Sequence, residues 1–106
     1  MDFEQIKPAL ISYLHRLEKQ LTINQALVFG SIAQNQADET SDVDLLILSD
    51  DLSKFDEDDR ARILYRASVG LPFDLHVYGL TPQEFDTASP LSVPGALKHQ
   101  KTLKLQ

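Results

Sequence analysis

The sequence predicts a small α/β domain of the α+β type, in which helices flank a mixed β-sheet of about three to five strands. Apolar residues recur with helical spacing between Asp2 and about Gln20, so this segment is expected to form an amphipathic helix. The run Val43–Leu48 is apolar on both faces, as in a strand that is covered on both sides. Pro72–Tyr78 alternates between apolar and polar residues, which indicates another strand.

Local signals predict the remaining elements. In chain order these are a strand at Leu27–Phe29, a helical turn at Ser31–Gln34, a helix through Ile63–Ala67 that ends at Gly70, a helix that begins at Thr81, a helix at Gly95–His99 and a strand at Thr102–Leu105. Either Ser53 or Asp56 can cap the helix through Ile63. The segment Thr81–Glu84 contains an N-cap threonine, a proline at the first helical position and a glutamate at the third, which together form a capping box.

Composition indicates a soluble globular protein. The chain has 106 residues, of which 42% are hydrophobic and 25% charged, and we expect residues 1–106 to form a single domain. It has no cysteine, no apolar run long enough to span a membrane and no signal-like N-terminus, so the cytoplasm is the expected compartment. The net charge of -6 argues against general nucleic-acid binding. The acidic segment with Asp50, Asp51 and Asp56–Asp59 is interpreted as a solvated loop that leads into a helix N-terminus, with a partner-binding patch as the alternative.

Two aspartates stand at the head of the apolar strand. Asp42 and Asp44 are two residues apart, so in an extended strand both carboxylates face the same side of the sheet. Their charges repel and lose hydration, and a divalent cation is the commonest ligand that makes such a pair favourable. The earlier Gly30-Ser31 turn supplies backbone N–H groups that can hold phosphate. Metal and phosphate together indicate nucleotide chemistry.

Taken singly, each of these features has a plainer interpretation. Ser41-Asp42 alone can be a turn that caps a strand, and Gly30-Ser31 alone can be the entry to a helix. Asp38 and Glu39 are interpreted as loop acids rather than metal ligands. His76 is expected to share the face of Asp74, and a structural role is favoured over a nucleotide contact.

The combined pattern is more specific. Gly30-Ser31, ten intervening residues and Asp42-Val43-Asp44 at the head of a strand resemble the minimal nucleotidyltransferases (MNT) of the DNA polymerase beta superfamily. The resemblance extends from about Gln25 onward and implies the polymerase-beta-type nucleotidyltransferase fold. It also implies a third carboxylate on a later strand, which is Asp74.

The resemblance assigns roles to these residues. Asp42, Asp44 and Asp74 would be the catalytic residues and would hold Mg²⁺, with two ions expected and Mn²⁺ as a substitute. Asp74 would also help to deprotonate the attacking hydroxyl. A second set of three residues would bind the nucleotide, with ATP as substrate: Gly30, Ser31 and Ser41.

One segment departs from the family. Many relatives carry arginines and a second glycine after Gly-Ser, where this chain has Ile32, Ala33, Gln34 and Asn35. Basic residues that would neutralise the triphosphate are therefore missing at this point. Arg60, Arg62 or a partner chain is the expected substitute.

The resemblance also implies a biological role. Stand-alone MNT proteins of this size resemble antitoxins whose partner is a helical HEPN RNase toxin, and which transfer AMP from ATP to a tyrosine of that toxin. Two alternatives remain: a non-catalytic binding antitoxin of the same fold, and a nucleotidyltransferase that acts on a small molecule. The lack of room for a second domain in the sequence argues against the latter.

Overall fold

A four-stranded mixed sheet organises the chain in the computed structural model, which describes residues 1–38 and 40–105. In chain order the elements are α1 (Phe3–Leu17), β1 (Gln25–Phe29), α2 (Gly30–Ala33), β2 (Val43–Leu48), a 3₁₀ turn (Asp50–Lys54), α3 (Glu57–Arg66), β3 (Leu75–Leu80), α4 (Pro82–Thr87), α5 (Val93–Ala96), a second 3₁₀ turn (Leu97–His99) and β4 (Leu103–Lys104). The predicted α+β class is confirmed.

The strands lie in the order β3-β2-β1-β4. β1 is antiparallel to both β2 and β4, whereas β2 and β3 are parallel. A parallel pair needs a crossover connection, which α3 provides between β2 and β3. β2 is thus an interior strand, as its apolar sequence predicts.

The two faces of the sheet carry cores of different size. α1 and α3 cover one face and enclose the larger cluster, which includes Leu10, Leu14, Val28, Leu45, Ile47, Leu64 and Val77. The opposite face carries a smaller cluster, whose buried and partly buried members are Leu27, Phe29, Leu46, Leu48, Leu97, Tyr78, Leu80 and Phe85. The alternation along each strand separates these two sets.

Two polar contacts join α1 to α3. The buried Tyr13 hydroxyl donates to Leu64 O at 2.8 Å, and burial raises the pKa of that hydroxyl. Arg16 Nη1 donates to Ala67 O and to Val69 O, both at 2.8 Å, and so supports the C-terminal end of α3. No helix in residues 1–38 and 40–105 has the length and apolar character needed to cross a membrane.

Capping side chains set the helix starts. Asp2 and Gln5 form a capping box on α1, and Thr81 and Glu84 form the predicted one on α4. Of the two candidate caps for α3, Asp56 is correct, since its carboxylate accepts from Asp59 N at 2.8 Å.

The third strand is shifted from its predicted position. It begins at Leu75 rather than at Pro72 and continues to Leu80. Its position follows from the parallel register with β2, in which Val43 is opposite Leu75 and Leu48 is opposite Leu80.

A bidentate ion pair joins α3 to α4. Arg60 donates to both carboxylate oxygens of Glu84, at 2.7 and 3.1 Å, and its Nε donates to Phe55 O. The hydrogen bonds from Arg60 hold the pKa of Glu84 below its usual range, and the Thr81 N–H acts in the same direction.

The lowered pKa of Glu84 makes a signed prediction for acid stability. A carboxylate with a lowered folded-state pKa contributes stability above its unfolded pKa, and that contribution is lost as pH falls through the folded value. Because the Glu84 side chain is 44% exposed, solvent screening limits the contribution to less than about 1 kcal/mol. We therefore expect Glu84→Gln to lower stability at neutral pH and to lose less stability than wild type between about pH 5 and pH 3.

Urea unfolding across this pH range measures the effect. Glu18→Gln, which changes an exposed glutamate at the end of α1, is the matched control and should follow the wild-type pH profile. Parallel profiles for wild type and Glu84→Gln would contradict the assignment.

Candidate functional site

The central contact of the site is between Asp44 and Gly30. Asp44 in β2 pairs with Phe29, the last residue of β1, and the chain then turns into α2 at Gly30. Gly30 has a φ of +71°, and a Cβ there would collide with Asp44 Oδ2. Only glycine combines this left-handed backbone with the absence of a side chain, so the carboxylate can lie directly against the turn.

Asp44 lies in an unfavourable electrostatic environment. Its side chain is 24% exposed, and this partial burial raises the pKa of the carboxyl. The charge of Asp42 raises the pKa of Asp44 further, whereas His76 acts in the opposite direction. Asp42 immediately precedes β2 and Asp44 lies within it, close enough for their charges to interact.

His76 is the partner of Asp44 on the neighbouring strand. The two residues are opposite each other in the β2–β3 register, and His76 Nδ1 lies 3.4 Å from Asp44 Oδ1. The ring is not a core element: its side chain is 51% exposed and lies 4.9 Å from the Tyr78 ring, centroid to centroid. The spacing of two residues between Asp74 and His76 predicted that both lie on one face of β3. It did not predict the contact between His76 and Asp44.

Asp74 occupies the position in β3 that corresponds to Asp42 in β2. Each immediately precedes its strand, and Val43 N–H donates to Asp74 O at 2.9 Å. Asp74 is exposed and, with Thr40 and Ser41, lines a groove of about 400 Å³. Within residues 1–38 and 40–105 no three histidine, aspartate or glutamate side chains are close enough together to hold a metal ion. The convergence of three carboxylates therefore stays a prediction.

The loop before β2 is held by its own side chains. Asp38 accepts hydrogen bonds from the hydroxyl and the N–H of Thr40 and from the Ser41 hydroxyl, and those from Thr40 contribute most to lowering the pKa of Asp38. Asp38 is thus engaged in a loop, as expected, and Glu39 lies outside the described residues. The Ser41 hydroxyl is already hydrogen bonded, and its predicted role in nucleotide binding stays a prediction.

The segment after Gly30-Ser31 has a structural explanation. Ile32 and Ala33 are 3% and 2% exposed, so they anchor α2 in the core. Asn35 has a φ of +57°, the left-handed region that asparagine tolerates better than most residues. The turn after α2 therefore has its left-handed residue without a second glycine.

The two arginines expected to compensate for the missing basic residues are engaged in ion pairs. Arg60 binds Glu84, and Arg62 Nη1 lies 2.7 Å from Asp59 Oδ1. Both guanidinium groups are thus already paired with carboxylates. Three sources of basic residues were expected to neutralise the triphosphate: Arg60, Arg62 and a partner chain. The ion pairs of the two arginines leave the partner chain.

The residues present fit a divalent cation. Asp42 and Asp44 offer the hard oxygen ligands that Mg²⁺ and Mn²⁺ prefer. Burial and like-charge repulsion both raise the pKa of Asp44, and a bound cation would reverse both effects. The absence of a Cβ at Gly30 leaves Asp44 in contact with the backbone that would carry a phosphate.

The contact between Gly30 and Asp44 predicts a specific cost for Gly30→Ala. Gly70 is the matched control, because its φ is +90° but a Cβ there would meet open space. Gly70→Ala should cost about 1–2 kcal/mol for the left-handed backbone alone. Gly30→Ala should cost roughly a further 1–3 kcal/mol, because the methyl group must also displace the Asp44 carboxylate.

Urea unfolding of both variants tests this difference. In an Asp44→Ala background the excess cost of Gly30→Ala should disappear, because the obstructing carboxylate is gone. Equal costs for the two glycine variants would show that Asp44 does not restrict this turn.

Comparisons with known proteins identify the family and the fold of this chain. Residues 11–88 match the family described as polymerase beta, nucleotidyltransferase. A candidate nucleotidyltransferase from Sulfolobus solfataricus has a similar structure, with a TM-score of 0.68 and 16% identity over 94% of this chain and 78% of that one. A structure described as a toxin–antitoxin with AMP-PNP gives a TM-score of 0.65 and 19% identity over 94% of this chain and 72% of that one.

At these identities the two structural likenesses establish the fold alone. No protein of curated function matches the chain significantly. The family match covers most of the chain and includes Gly30, Asp42, Asp44 and Asp74. The chain therefore belongs to the polymerase beta nucleotidyltransferase family.

Proposed function

We propose that this protein transfers AMP from ATP to a tyrosine hydroxyl of a HEPN-type RNase toxin and acts as the antitoxin of that partner. The observation that carries the proposal is the pair Asp42 and Asp44 beside the left-handed Gly30 turn, within a chain of the nucleotidyltransferase family. A solved structure of similar fold is described as a toxin–antitoxin with AMP-PNP, an ATP analogue, which supports both the nucleotide and the type of partner.

The reaction is an in-line displacement at the α-phosphorus of ATP. The acceptor oxygen forms a bond to phosphorus, the bond to the pyrophosphate oxygen breaks, and pyrophosphate leaves. Asp42 and Asp44 would hold a divalent cation, and Asp74 would complete its ligand set. The cation would stabilise the charge that develops on the phosphoryl oxygens.

The chain's own residues position the reactants. The backbone at Gly30 can approach the triphosphate closely, and the N–H and hydroxyl of Ser31 can donate to phosphate oxygens. Asp74 is exposed at the start of β3, where its carboxylate is available to accept the proton of the attacking hydroxyl. The acceptor itself would come from the partner chain.

Metal binding is the first test. The site should bind Mg²⁺ in the native state only, so the melting temperature should rise by about 5 °C or more when the metal is at about ten times its Kd. Asp44→Asn should abolish most of this rise, whereas Asp58→Asn, which changes an exposed aspartate of α3, should retain it. An undiminished rise in Asp44→Asn would place the cation elsewhere.

Transfer to the partner is the second test. Purified protein is incubated with ATP, Mg²⁺ and the small helical protein encoded by the neighbouring gene, and the intact mass of each chain is measured. Wild type should add the mass of AMP to the partner. Asp42→Asn/Asp44→Asn should lower the rate at least about a hundredfold, because it removes the ligands that stabilise charge.

A matched double variant separates loss of chemistry from loss of charge. Asp58→Asn/Asp86→Asn removes two exposed aspartates outside the site and should transfer AMP at the wild-type rate. If the site variant still neutralises the partner in cells and wild type adds no mass to it, the protein is a binding antitoxin instead.

A further inference from the structure

β3 is a terminal strand of the sheet, so its outer edge has no neighbouring strand. Val43 N–H donates to Asp74 O and Ser49 N–H donates to Leu80 O, which fixes the hydrogen-bonding phase of the parallel pair. In that phase the even-numbered residues of β3 bond to β2. The backbone groups of Val77 and Gly79 therefore point away from the sheet.

Helix α3 occupies only some of these outward groups. Val77 N–H donates to the Tyr65 hydroxyl at 3.3 Å, and Gly79 O accepts from Arg60 Nη1 at 3.4 Å. Between these two contacts lie Val77 O and Gly79 N–H. Neither group has a hydrogen-bond partner within residues 1–38 and 40–105.

A groove lies over this stretch of the edge. Its volume is about 360 Å³, and its wall is formed by residues 77–80 of β3, by α3 and by Pro94 of α5. Ala61 and Leu64 make the α3 side largely apolar, and Glu57 stands at its exposed N-terminal end. This size is within the range of grooves that bury a ligand.

The free groups suit a strand that runs parallel to β3, because one residue of such a strand can satisfy both of them. A residue of an added parallel strand donates its N–H to the carbonyl of residue i and accepts from the N–H of residue i+2. Val77 O and Gly79 N–H offer this pair. An antiparallel strand would reach the same two groups only through two different residues, and at Val77 and at Gly79 the other group of each narrow pair is already taken by α3.

We infer that this groove binds an extended segment of a partner protein with the pattern basic–apolar–basic, in parallel to β3. The central residue forms the two backbone hydrogen bonds opposite Tyr78. Its apolar side chain shares the face of Tyr78 and Leu80, which belong to the smaller core cluster. The flanking side chains point to the opposite face, where α3 carries Glu57.

Charge distinguishes this occupant from others. Arg60 is neutralised by Glu84, so Glu57 is the uncompensated charge among the groove residues of the described chain. The charge of Glu57 and the net charge of -6 oppose a phosphate-bearing ligand and a second copy of the chain. They attract a segment with lysine or arginine on either side of the apolar residue.

The test uses four heptapeptides with blocked ends, which differ only in their central residue: alanine, valine, leucine or phenylalanine. Two lysines flank the central residue, and the outer positions are lysine or threonine. Binding to the full chain is followed by the amide resonance and hydrogen exchange of Gly79. At about 1 mM peptide, at least one should shift this amide and slow its exchange about tenfold or more, with alanine the weakest.

Changes in the peptide and in the protein isolate each contact. Replacing the central N–H of the tightest peptide by an ester oxygen removes the donor to Val77 O but keeps the carbonyl that accepts from Gly79 N–H, and should weaken binding about five- to tenfold. Glu57→Gln should weaken binding and reduce its salt dependence, whereas Glu18→Gln should not.

Four results would overturn the inference. These are no binding by any of the peptides, binding that leaves the Gly79 amide unchanged, equal affinity of the amide and ester peptides, and protection of Gly79 in the free protein through self-association. Adenosine, tested in parallel, should leave the Gly79 amide unchanged. A shift with adenosine but not with peptide would make the groove a heterocycle site.

Discussion

The burial of β2 on both faces is the constraint on which the other elements depend. Val43 and Leu45–Ile47 have no exposed surface, so β2 must have a neighbouring strand on each side and a covering layer on each face. β1 and β3 are the two neighbouring strands of β2, and α1 and α3 form the larger covering layer. Because backbone groups in such a strand must be paired, the register of both neighbours is tightly specified.

The site is the place where this burial is incomplete. Asp44 is the one charged residue within β2, and it lies near the end of the strand, where the core gives way to the Gly30 turn. Partial burial and the second carboxylate raise the pKa of Asp44, and the His76 ring offsets this only in part. Proteins retain such interactions mainly where a ligand relieves them. The stability of the rest of the domain holds the carboxylate in position.

Sequence patterns gave reliable predictions where one local signal was sufficient. β2 has the predicted bounds, because its short apolar run has the length of a strand and polar residues at both ends. The capping box at Thr81 also lies where it was predicted, since its interactions span only four residues. The spacing of two predicts a shared face for Asp42 and Asp44, and their charges do interact, whereas their roles in metal binding stay a prediction.

Features that depend on tertiary packing were not predictable in this way. The shift of β3 to Leu75–Leu80 follows from its pairing with β2, which its own alternation does not encode. Spacing alone did not show that Asp44 would exclude a side chain at Gly30, or that His76 would lie beside Asp44. The free groups of Val77 and Gly79 become apparent only once α3 is seen to cover part of the β3 edge.

The position of β4 has a consequence for the order of events during protein synthesis. β4 pairs with β1, and Leu105, which is 1% exposed, donates its N–H to Ala26 O at 2.9 Å. One edge of β1 therefore stays open on the ribosome until residues 103–105 have left the exit tunnel, although β1 itself is made early. Such distant pairing is slow to form and leaves a nascent chain open to non-native strand contacts. The sheet of this protein is thus completed only after translation of nearly the whole domain.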